Sequence, residues 1–471
     1  MSTSTHDGAV AAAYQHRLAA LADTSVGGRA YCHRLAGATD LWIRALVDQA
    51  RSQQPEVPRF ALVAVGGYGR NELSPHSDLD LLLVHKSKPD QIEALASAIW
   101  YPIWDAGLKL GHAVRTFDEH MALAKTDLDT ATALLTARPI AGDARLGEAI
   151  VESGIRNWTK RTKRWMQQLQ HRVRARQSDA GDVAYLLEPD LKDGHGGIRD
   201  AQSLWWAECG GLLLPEEDNL ALNECYDVLL SARVALHRAT GRAGDTLRLQ
   251  DQDAAAEAAG LASADALMAK IAAAARTVAW IADEAWGRVG KPAGGSPKEV
   301  APGVMLVDGE IELAVDADPA VDPTYMLRIA TAAARHDARI GRRSLDRLAE
   351  LVPQWPSRWP AGAVDKLVAL LLEGHRSIPV IESLDQRGLI TRMLPEWEPV
   401  RSRPQRNAYH RFTVDRHLWE AAANASELAE HVSRPDLLVL GALFHDIGKG
   451  RPGDHTEVGM EIVSELGPRL G

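Results

Sequence analysis

The sequence places two aspartates, Asp78 and Asp80, shortly after a glycine pair, Gly66 and Gly67, in the stretch GGYGRNELSPHSDLDLLLVH. The run DLDLLLV predicts a strand, and because alternate residues of a strand point to the same face, both carboxylates should lie side by side. Carboxylates held so close repel each other unless a cation lies between them. Oxygen ligands suit Mg2+ or Mn2+. The spacing therefore predicts a divalent metal site with Asp78 and Asp80 as its catalytic ligands.

The glycine pair follows an apolar, branched segment, FALVAV (60–65), that predicts a buried strand. Glycine at this point lets backbone N–H groups approach a phosphate closely, and a helix that starts here favours anions. A tight turn and two solvated aspartates are the plainer alternative, but the two features on successive strands together favour a site. We expect a nucleoside triphosphate held by Gly66 and Gly67 on one side and by metal on the aspartates on the other.

A second polar stretch, EPDLKDGHGGIRDAQ (188–202), combines acids, a lysine and a glycine pair with Arg199 and Asp200 at a predicted helix start. Such a segment predicts either an anion-binding helix start or a polar loop with an ordinary cap, and the residue types alone do not decide between them.

Histidines near the end of the chain form a third pattern. His445 and Asp446 follow the apolar helix pattern LLVLGALF, His417 lies in TVDRHLWEAA, and His455 lies in GDHTEVG. Adjacent His445 and Asp446, buried at the end of such a helix, are costly unless they bind a metal or a partner. Histidine with aspartate suits a metal that activates water, whereas a single histidine would more simply be structural.

The pattern of elements predicts an α+β chain in five segments. Residues 1–57 predict helix, 58–145 mix strand and helix with a third strand at LKLGHAVRTF, and 146–289 predict helix again. Residues 290–322 predict a Gly- and Pro-rich linker and a small hairpin turning at Asp308 and Gly309. Helix resumes over 323–471.

Composition narrows the possible functions. The 471 residues carry a net charge of −10, which disfavours nucleic acid as the main partner. The basic segment from Arg156 to Arg176 is better explained by a helix packed through Trp158 and Trp165 than by a nucleic-acid surface. The sequence predicts neither a signal peptide nor a membrane helix. Its three cysteines have no zinc-site spacing, so a cytoplasmic location is the simplest expectation.

The first two motifs resemble those of a known family. The glycines and aspartates resemble the nucleotidyltransferase fold of DNA polymerase beta and kanamycin nucleotidyltransferase. With GHAVRT (111–116) and the 188–202 stretch, they resemble more closely the bacterial PII uridylyltransferase/uridylyl-removing family. The resemblance implies that 58–145 is the nucleotidyltransferase domain and that Arg70, Lys192 and Arg199 contact the nucleotide. It also implies a third carboxylate, for which Asp105 and Asp118 remain alternatives.

The late histidines resemble the HD phosphohydrolase superfamily in the uridylyl-removing form. This resemblance implies that His417, His445 and Asp446 are metal ligands and that His455 lies in a loop of the site. The superfamily also supplies a final aspartate ligand from a later helix, and the family carries C-terminal ACT domains that sense glutamine. We expect both to lie beyond the chain end, so that 323–471 is an incomplete HD domain of a longer protein.

The implied function is transfer of UMP or AMP from UTP or ATP to a tyrosine of the PII nitrogen-signalling protein, with hydrolytic removal by the HD domain. The alternatives are a CCA-adding type of RNA nucleotidyltransferase and a non-catalytic nucleotide-sensing module. Enzymes of the first kind carry a motif that reads the incoming base, and this chain has no equivalent after its aspartates. The intact Asp78, Asp80, His445 and Asp446 disfavour the second alternative.

Overall fold

The computed structural model describes residues 2–54, 59–86, 89–289, 296–405 and 411–470. The chain divides into two compact units, of which unit 1 comprises Met1–Gly181 and Asp190–Val278, and unit 2 comprises Asp182–Pro189 and Ala279–Gly471. The predicted α+β class is confirmed, because each unit combines helices with a small sheet. The boundaries of the five predicted segments stay a prediction.

A mixed four-stranded sheet forms the centre of unit 1. Its strands are β1 (Phe60–Ala64), β2 (Leu79–His85), β3 (Leu110–Thr116) and β4 (Arg138–Gly142), in the order β3-β2-β1-β4. β1 pairs antiparallel with β2 and β4, whereas β2 and β3 are parallel. The first three strands match the prediction, although β2 begins at Leu79, so Asp78 precedes the strand. β4 was not predicted, because its proline and glycine are typical of turns.

The helices surround this sheet and bury its apolar residues. β1 is buried along its whole length, and its side chains Ala61 and Val63 join a core cluster with Leu82 and Ile150. The helices of unit 1 are α1 (Ser2–Ala22), α2 (Gly28–Gln53), α3 (Gly66–Gly69), α4 (Pro89–Asp105), α5 (Phe117–Leu123), α6 (Leu128–Leu135), α7 (Ala144–Lys160), α8 (Thr162–Ala180), α9 (Ile198–Glu208), α10 (Glu216–Thr240) and α11 (Gln252–Ala258), followed by α12 (Ala264–Arg288), within which the unit boundary falls.

The predicted basic helix is two helices, α7 and α8, that meet at Arg161. Trp158 and Trp165 are both fully buried, and their rings stack with centroids 5.6 Å apart. The segment is therefore packed through its tryptophan face, as predicted.

Unit 2 has its own sheet and core. Its strands are β5 (Lys298–Ala301), β6 (Val304–Val307), β7 (Glu310–Leu313) and β8 (Arg339–Ile340). The predicted hairpin is confirmed: Val307 pairs with Glu310, and the intervening Asp308 and Gly309 both have positive φ, as a tight hairpin turn requires. Residues 290–295 of the predicted linker lie outside the described residues. The helices are α13 (Tyr325–Arg335), α14 (Arg342–Leu351), α15 (Ala363–Leu371), α16 (Ile378–Gln386), α17 (Leu389–Met393), α18 (Val414–Ser426), α19 (Pro435–Phe444) and α20 (His455–Leu470).

No helix in the described part of the chain has both the length and the apolar character that crossing a membrane requires.

Candidate active sites

Three segments of unit 1 line one cavity of about 250 Å³. The cavity brings together the residues suggested for the first two metal ligands and for contact with the nucleotide: Gly66, Gly67, Arg70, Asp78, Asp80, Lys192 and Arg199. It is also lined by residues that sequence reasoning missed, among them Glu72, Ser77, Gln202, Tyr226, Arg233 and Asp245. The glycine motif and the 188–202 stretch thus contribute to the same site, although more than a hundred residues separate them in the chain.

The two aspartates differ in their surroundings. Asp78 is exposed just before β2, and Asp80 is half-buried as the second residue of that strand. Burial and the charge of Asp78 raise the pKa of the Asp80 carboxyl, while Lys192 and Arg70 act in the opposite direction. Two oxygen donors that repel each other at the edge of a cavity fit a divalent cation.

Gly66 is glycine for two reasons. Its φ of +59° lies in the left-handed region, and a Cβ there would lie 2.7 Å from Oδ2 of Asp80. The N–H of Val65 donates to the carbonyl of Asp80 at 3.0 Å, which fixes the start of α3 beside the aspartate. Gly67 is less crowded, because a Cβ there would come no closer than 3.6 Å to its nearest neighbour, the carbonyl oxygen of Glu72.

A buried polar cluster anchors α3 to its surroundings. The hydroxyl of Tyr68 donates to Oδ1 of Asp40 in α2 at 2.8 Å, and Arg138 of β4 donates to the same carboxylate oxygen at 3.1 Å. Burial and the neighbouring Asp40 raise the pKa of Tyr68, which keeps the phenol protonated as the donor. The position of the glycine pair therefore depends on a helix and a strand from outside the motif.

Residues 188–197 form a tightly hydrogen-bonded loop before α9, and 198–202 are the first residues of that helix. Oδ1 of Asp190 accepts from the N–H groups of Lys192 at 2.9 Å and Asp193 at 2.7 Å. Asp200 is fully buried and accepts from the N–H of Gly196 at 2.8 Å as well as from Arg176. Asp200 thus holds the loop in shape, and the loop places Lys192 and Arg199 at the cavity.

Asp245 is an acid of the cavity that no sequence motif marked. It accepts from Nε of Arg233 at 2.6 Å and lies 3.4 Å from Nζ of Lys192. Burial acts to raise the pKa of the Asp245 carboxyl, but His237, Arg233 and Lys192 together hold it below its usual range. Asp245 therefore stays charged and orients two of the cations at the site.

The two alternatives for the third carboxylate, Asp105 and Asp118, flank β3 in the sequence. Neither of them is among the described residues that line the cavity. In the parallel register the β3 residue paired with Asp80 is Gly111, where a Cβ would collide with Oδ1 of Asp80. The β3 position beside Asp80 thus has no room for a carboxylate.

The second site lies in unit 2, where His417 of α18 meets the end of α19. His417, His445 and Asp446 each offer a ligand atom, and these atoms all lie within 4.8 Å of one another. Nε2 of His445 lies 3.2 Å from Nε2 of His417 and 3.4 Å from Oδ2 of Asp446. Nδ1 of His445 lies 2.8 Å from the carbonyl of Ala442, where it donates, so Nε2 is left to bind a metal. This donor set fits a divalent metal.

Two details of this site differ from expectation. Asp446 is buried as predicted, but His445 is exposed, because α19 ends at Phe444 and the chain turns there. Nζ of Lys449 lies 2.7 Å from Oδ2 of Asp446; burial acts to raise the pKa of Asp446, but His445 and Lys449 hold it below its usual range. His455, expected in a loop, is the exposed first residue of α20 and is not among the clustered ligands of the described chain.

Three family models match successive parts of the chain: a nucleotidyltransferase domain at 43–123, the GlnD PII-uridylyltransferase model at 164–286 and an HD domain at 414–471. The chain is also similar to bifunctional uridylyltransferase/uridylyl-removing enzymes. It is 41% identical to that of Streptomyces coelicolor, over 97% of this chain and 56% of the relative. It is 42% identical to that of Mycobacterium tuberculosis, over 88% of this chain and 53% of the relative. It is 35% identical to that of Corynebacterium glutamicum, over 87% of this chain and 60% of the relative.

The family models and the relatives agree that this chain is similar to uridylyltransferase/uridylyl-removing enzymes. It spans about half the length of the curated relatives it matches. The nucleotidyltransferase match contains the glycines and aspartates, the uridylyltransferase match contains Lys192 and Arg199, and the HD match contains His417, His445 and Asp446. The resemblance inferred from the motifs is confirmed, whereas the role of each residue stays a prediction.

Proposed function

We propose that unit 1 transfers UMP from UTP to a tyrosine hydroxyl of the PII signalling protein and releases pyrophosphate. The observation that carries the proposal is the single cavity in which the glycine pair, Asp78 and Asp80 meet Lys192 and Arg199. UTP is favoured over ATP because the similar enzymes are named uridylyltransferases. In unit 2, the cluster of His417, His445 and Asp446 would hydrolyse the product again.

The cavity supplies what such a transfer needs. Mg2+ or Mn2+ held by Asp78 and Asp80 would neutralise charge on the phosphates and activate the attacking hydroxyl. The cations of Arg70, Lys192 and Arg199 face the same space and attract the triphosphate, while N–H groups at the glycines approach it closely. The tyrosine oxygen bonds to the α-phosphorus, the α–β bridging bond breaks, and pyrophosphate leaves as the tyrosine proton is released to solvent.

The removal reaction is a hydrolysis at the same phosphorus. Water attacks the phosphodiester, the bond to the tyrosine oxygen breaks, and UMP and the free tyrosine result. A divalent metal held by His417, His445 and Asp446 would activate that water at neutral pH. The hydrogen bond from His445 to the Ala442 carbonyl keeps the histidine ring oriented toward the other two ligands.

Label transfer tests the proposal. The chain is incubated with PII, Mg2+ and α-labelled UTP or ATP in separate reactions, and the label on PII is counted. We expect UTP to label PII, and Asp80→Asn to nearly abolish labelling without lowering the melting temperature of the metal-free chain, because it also relieves repulsion with Asp78. Asp105→Asn is the matched control, since Asp105 does not line the cavity.

The outcomes separate the alternatives. Label entering PII from ATP alone would overturn the choice of nucleotide. Label entering RNA instead of PII would favour the CCA-adding alternative, and an active Asp80→Asn variant would remove that residue from the metal site.

A further inference from the structure

Tyr226 of α10 is fully buried, and its hydroxyl connects two segments that line the nucleotide cavity. It donates to Oε2 of Glu72 at 2.7 Å and accepts from Nε2 of Gln202 at 2.9 Å. Glu72 follows the glycine pair and Gln202 lies in α9, so one phenol bridges the two motifs.

Each partner of Tyr226 in turn holds an arginine of the cavity. Oε2 of Glu72 accepts from Nε of Arg70 at 2.6 Å, and Oε1 of Gln202 accepts from Nη1 of Arg199 at 3.0 Å. The continuous chain of hydrogen bonds runs Arg70, Glu72, Tyr226, Gln202, Arg199. The distance between the two guanidinium groups is therefore set through the phenol.

The two cations repel each other. Burial and then the charge of Arg70 lower the pKa of Arg199, whose carboxylate neighbour, Asp193, lies 3.8 Å away. Like charges facing one cavity would move apart unless they were held, and an anion with several oxygens would relieve the repulsion. Holding both donors before the anion arrives avoids the cost of ordering them on binding.

The ring of Tyr226 is packed independently of its hydroxyl. The ring of Trp205 meets it edge-on with centroids 4.7 Å apart, and the guanidinium of Arg29 lies 5.5 Å from its centroid. Phenylalanine at this position would keep these contacts and remove only the bridge.

We propose that Tyr226 is a positioning residue for the nucleotide, whose hydroxyl sets Arg70 and Arg199 at the spacing that receives the polyphosphate. The inference rests on the proposed function, because it requires a triphosphate in this cavity. It adds that the hydroxyl of Tyr226 is needed to bind the phosphates of the nucleotide and not to bind its base.

Binding of UTP and of inorganic tripolyphosphate to Tyr226→Phe, measured by calorimetry with Mg2+, tests this inference. We expect both affinities to fall by the same factor, about tenfold, and KM for UTP to rise with kcat within about threefold of the wild-type value. Tyr31→Phe is the matched control: Tyr31 is also fully buried, and its hydroxyl donates at 3.1 Å to the carbonyl of Leu21, away from the cavity. It should leave both affinities unchanged.

A second variant tests the chain itself. Gln202→Met interrupts it between Tyr226 and Arg199, and combining it with Tyr226→Phe should weaken binding no further than the stronger single change. Three results would overturn the positioning role. Tyr226→Phe could bind with wild-type affinity, it could lose affinity for UTP but not for tripolyphosphate, or the losses of affinity from Tyr226→Phe and Gln202→Met could simply add in the double variant. If the wild-type chain bound neither UTP nor tripolyphosphate, the proposed function itself would be wrong. If the wild-type chain bound both and Tyr226→Phe bound them equally well, only the inference about Tyr226 would be wrong.

Discussion

Gly111 of β3 lies directly opposite Asp80 of β2 in the parallel register of the sheet. The Asp80 carboxylate lies over the glycine, so that a Cβ at position 111 would collide with Oδ1, while a Cβ at Gly66 would approach Oδ2. Both oxygens of the proposed metal ligand are thus flanked by glycines. The position of Asp80 depends on the absence of two side chains as much as on the presence of its own.

Gly111→Ala should therefore reduce nucleotide transfer without unfolding the chain. Gly111 is exposed and does not have positive φ, so the backbone accepts alanine, but the new methyl group must displace the Asp80 carboxylate. Displacing a reacting group by about 1 Å costs on the order of 100-fold in rate. Label transfer measures the loss. Gly37→Ala, where a Cβ meets nothing within 4 Å, is the control, and equal activity of both variants would show that Asp80 tolerates the displacement.

Gly67→Val should fold but bind nucleotide about tenfold more weakly, a change of ~1.4 kcal/mol. A Cβ at this position makes only an ordinary contact with the Glu72 carbonyl, so packing gives no strong reason for glycine there. A close approach of backbone to phosphate would give one. Calorimetric titration with UTP measures the effect, and unchanged affinity in a folded variant would mean that Gly67 does not contact the nucleotide.

The parts of the site whose residues lie close together in the sequence could be predicted from it, and the parts assembled by tertiary packing could not. The glycine pair, the aspartates and the strands around them lie within one short stretch, so residue types and alternation sufficed. Arg233 and Asp245 lie on and just after α10, a long helix with no local pattern to mark a site, and they reach the cavity only through tertiary packing. The exposure of His445 could not be predicted either, because the apolar pattern marks where α19 ends and not how the residues after it pack.

Unit 1 should lose stability as the pH falls below neutrality, and His120 should account for part of the loss. Burial, and then the Arg115 cation, lower the pKa of His120 from 6.5 to about 4. Because the pKa of His120 is lower in the folded chain than in the unfolded chain, its contribution to the free energy of unfolding is fully present above about pH 6.5, where the imidazole is neutral in both states. The contribution is lost between pH 6.5 and 4, because there the imidazole takes up a proton in the unfolded chain but not in the folded one. The total is on the order of 3 kcal/mol.

His120→Gln removes this titration, so the free energy of unfolding of the variant should depend less on pH over that range. Urea unfolding at pH 7.5, 6 and 5 measures it, with the exposed His33→Gln as control. Equal slopes for His120→Gln and the wild-type chain would show that another group is responsible.

Asp446→Asn should abolish the removal reaction and leave transfer intact. Asp446 is one of three clustered ligands in unit 2, whereas the residues of the transfer cavity all lie in unit 1. Asparagine keeps the size of the side chain but loses the charge that binds the metal, so hydrolysis should fall by more than the roughly 10- to 100-fold that follows loss of an outer hydrogen-bond partner. Asp436→Asn, which changes an aspartate paired with Arg434 at the start of α19, is the control. Release of UMP from modified PII with Mn2+ measures removal, Mn2+ titration by calorimetry measures the metal site, and label transfer measures the other activity. Normal UMP release by Asp446→Asn would exclude this cluster as the hydrolytic centre, and loss of both activities would contradict their assignment to separate sites.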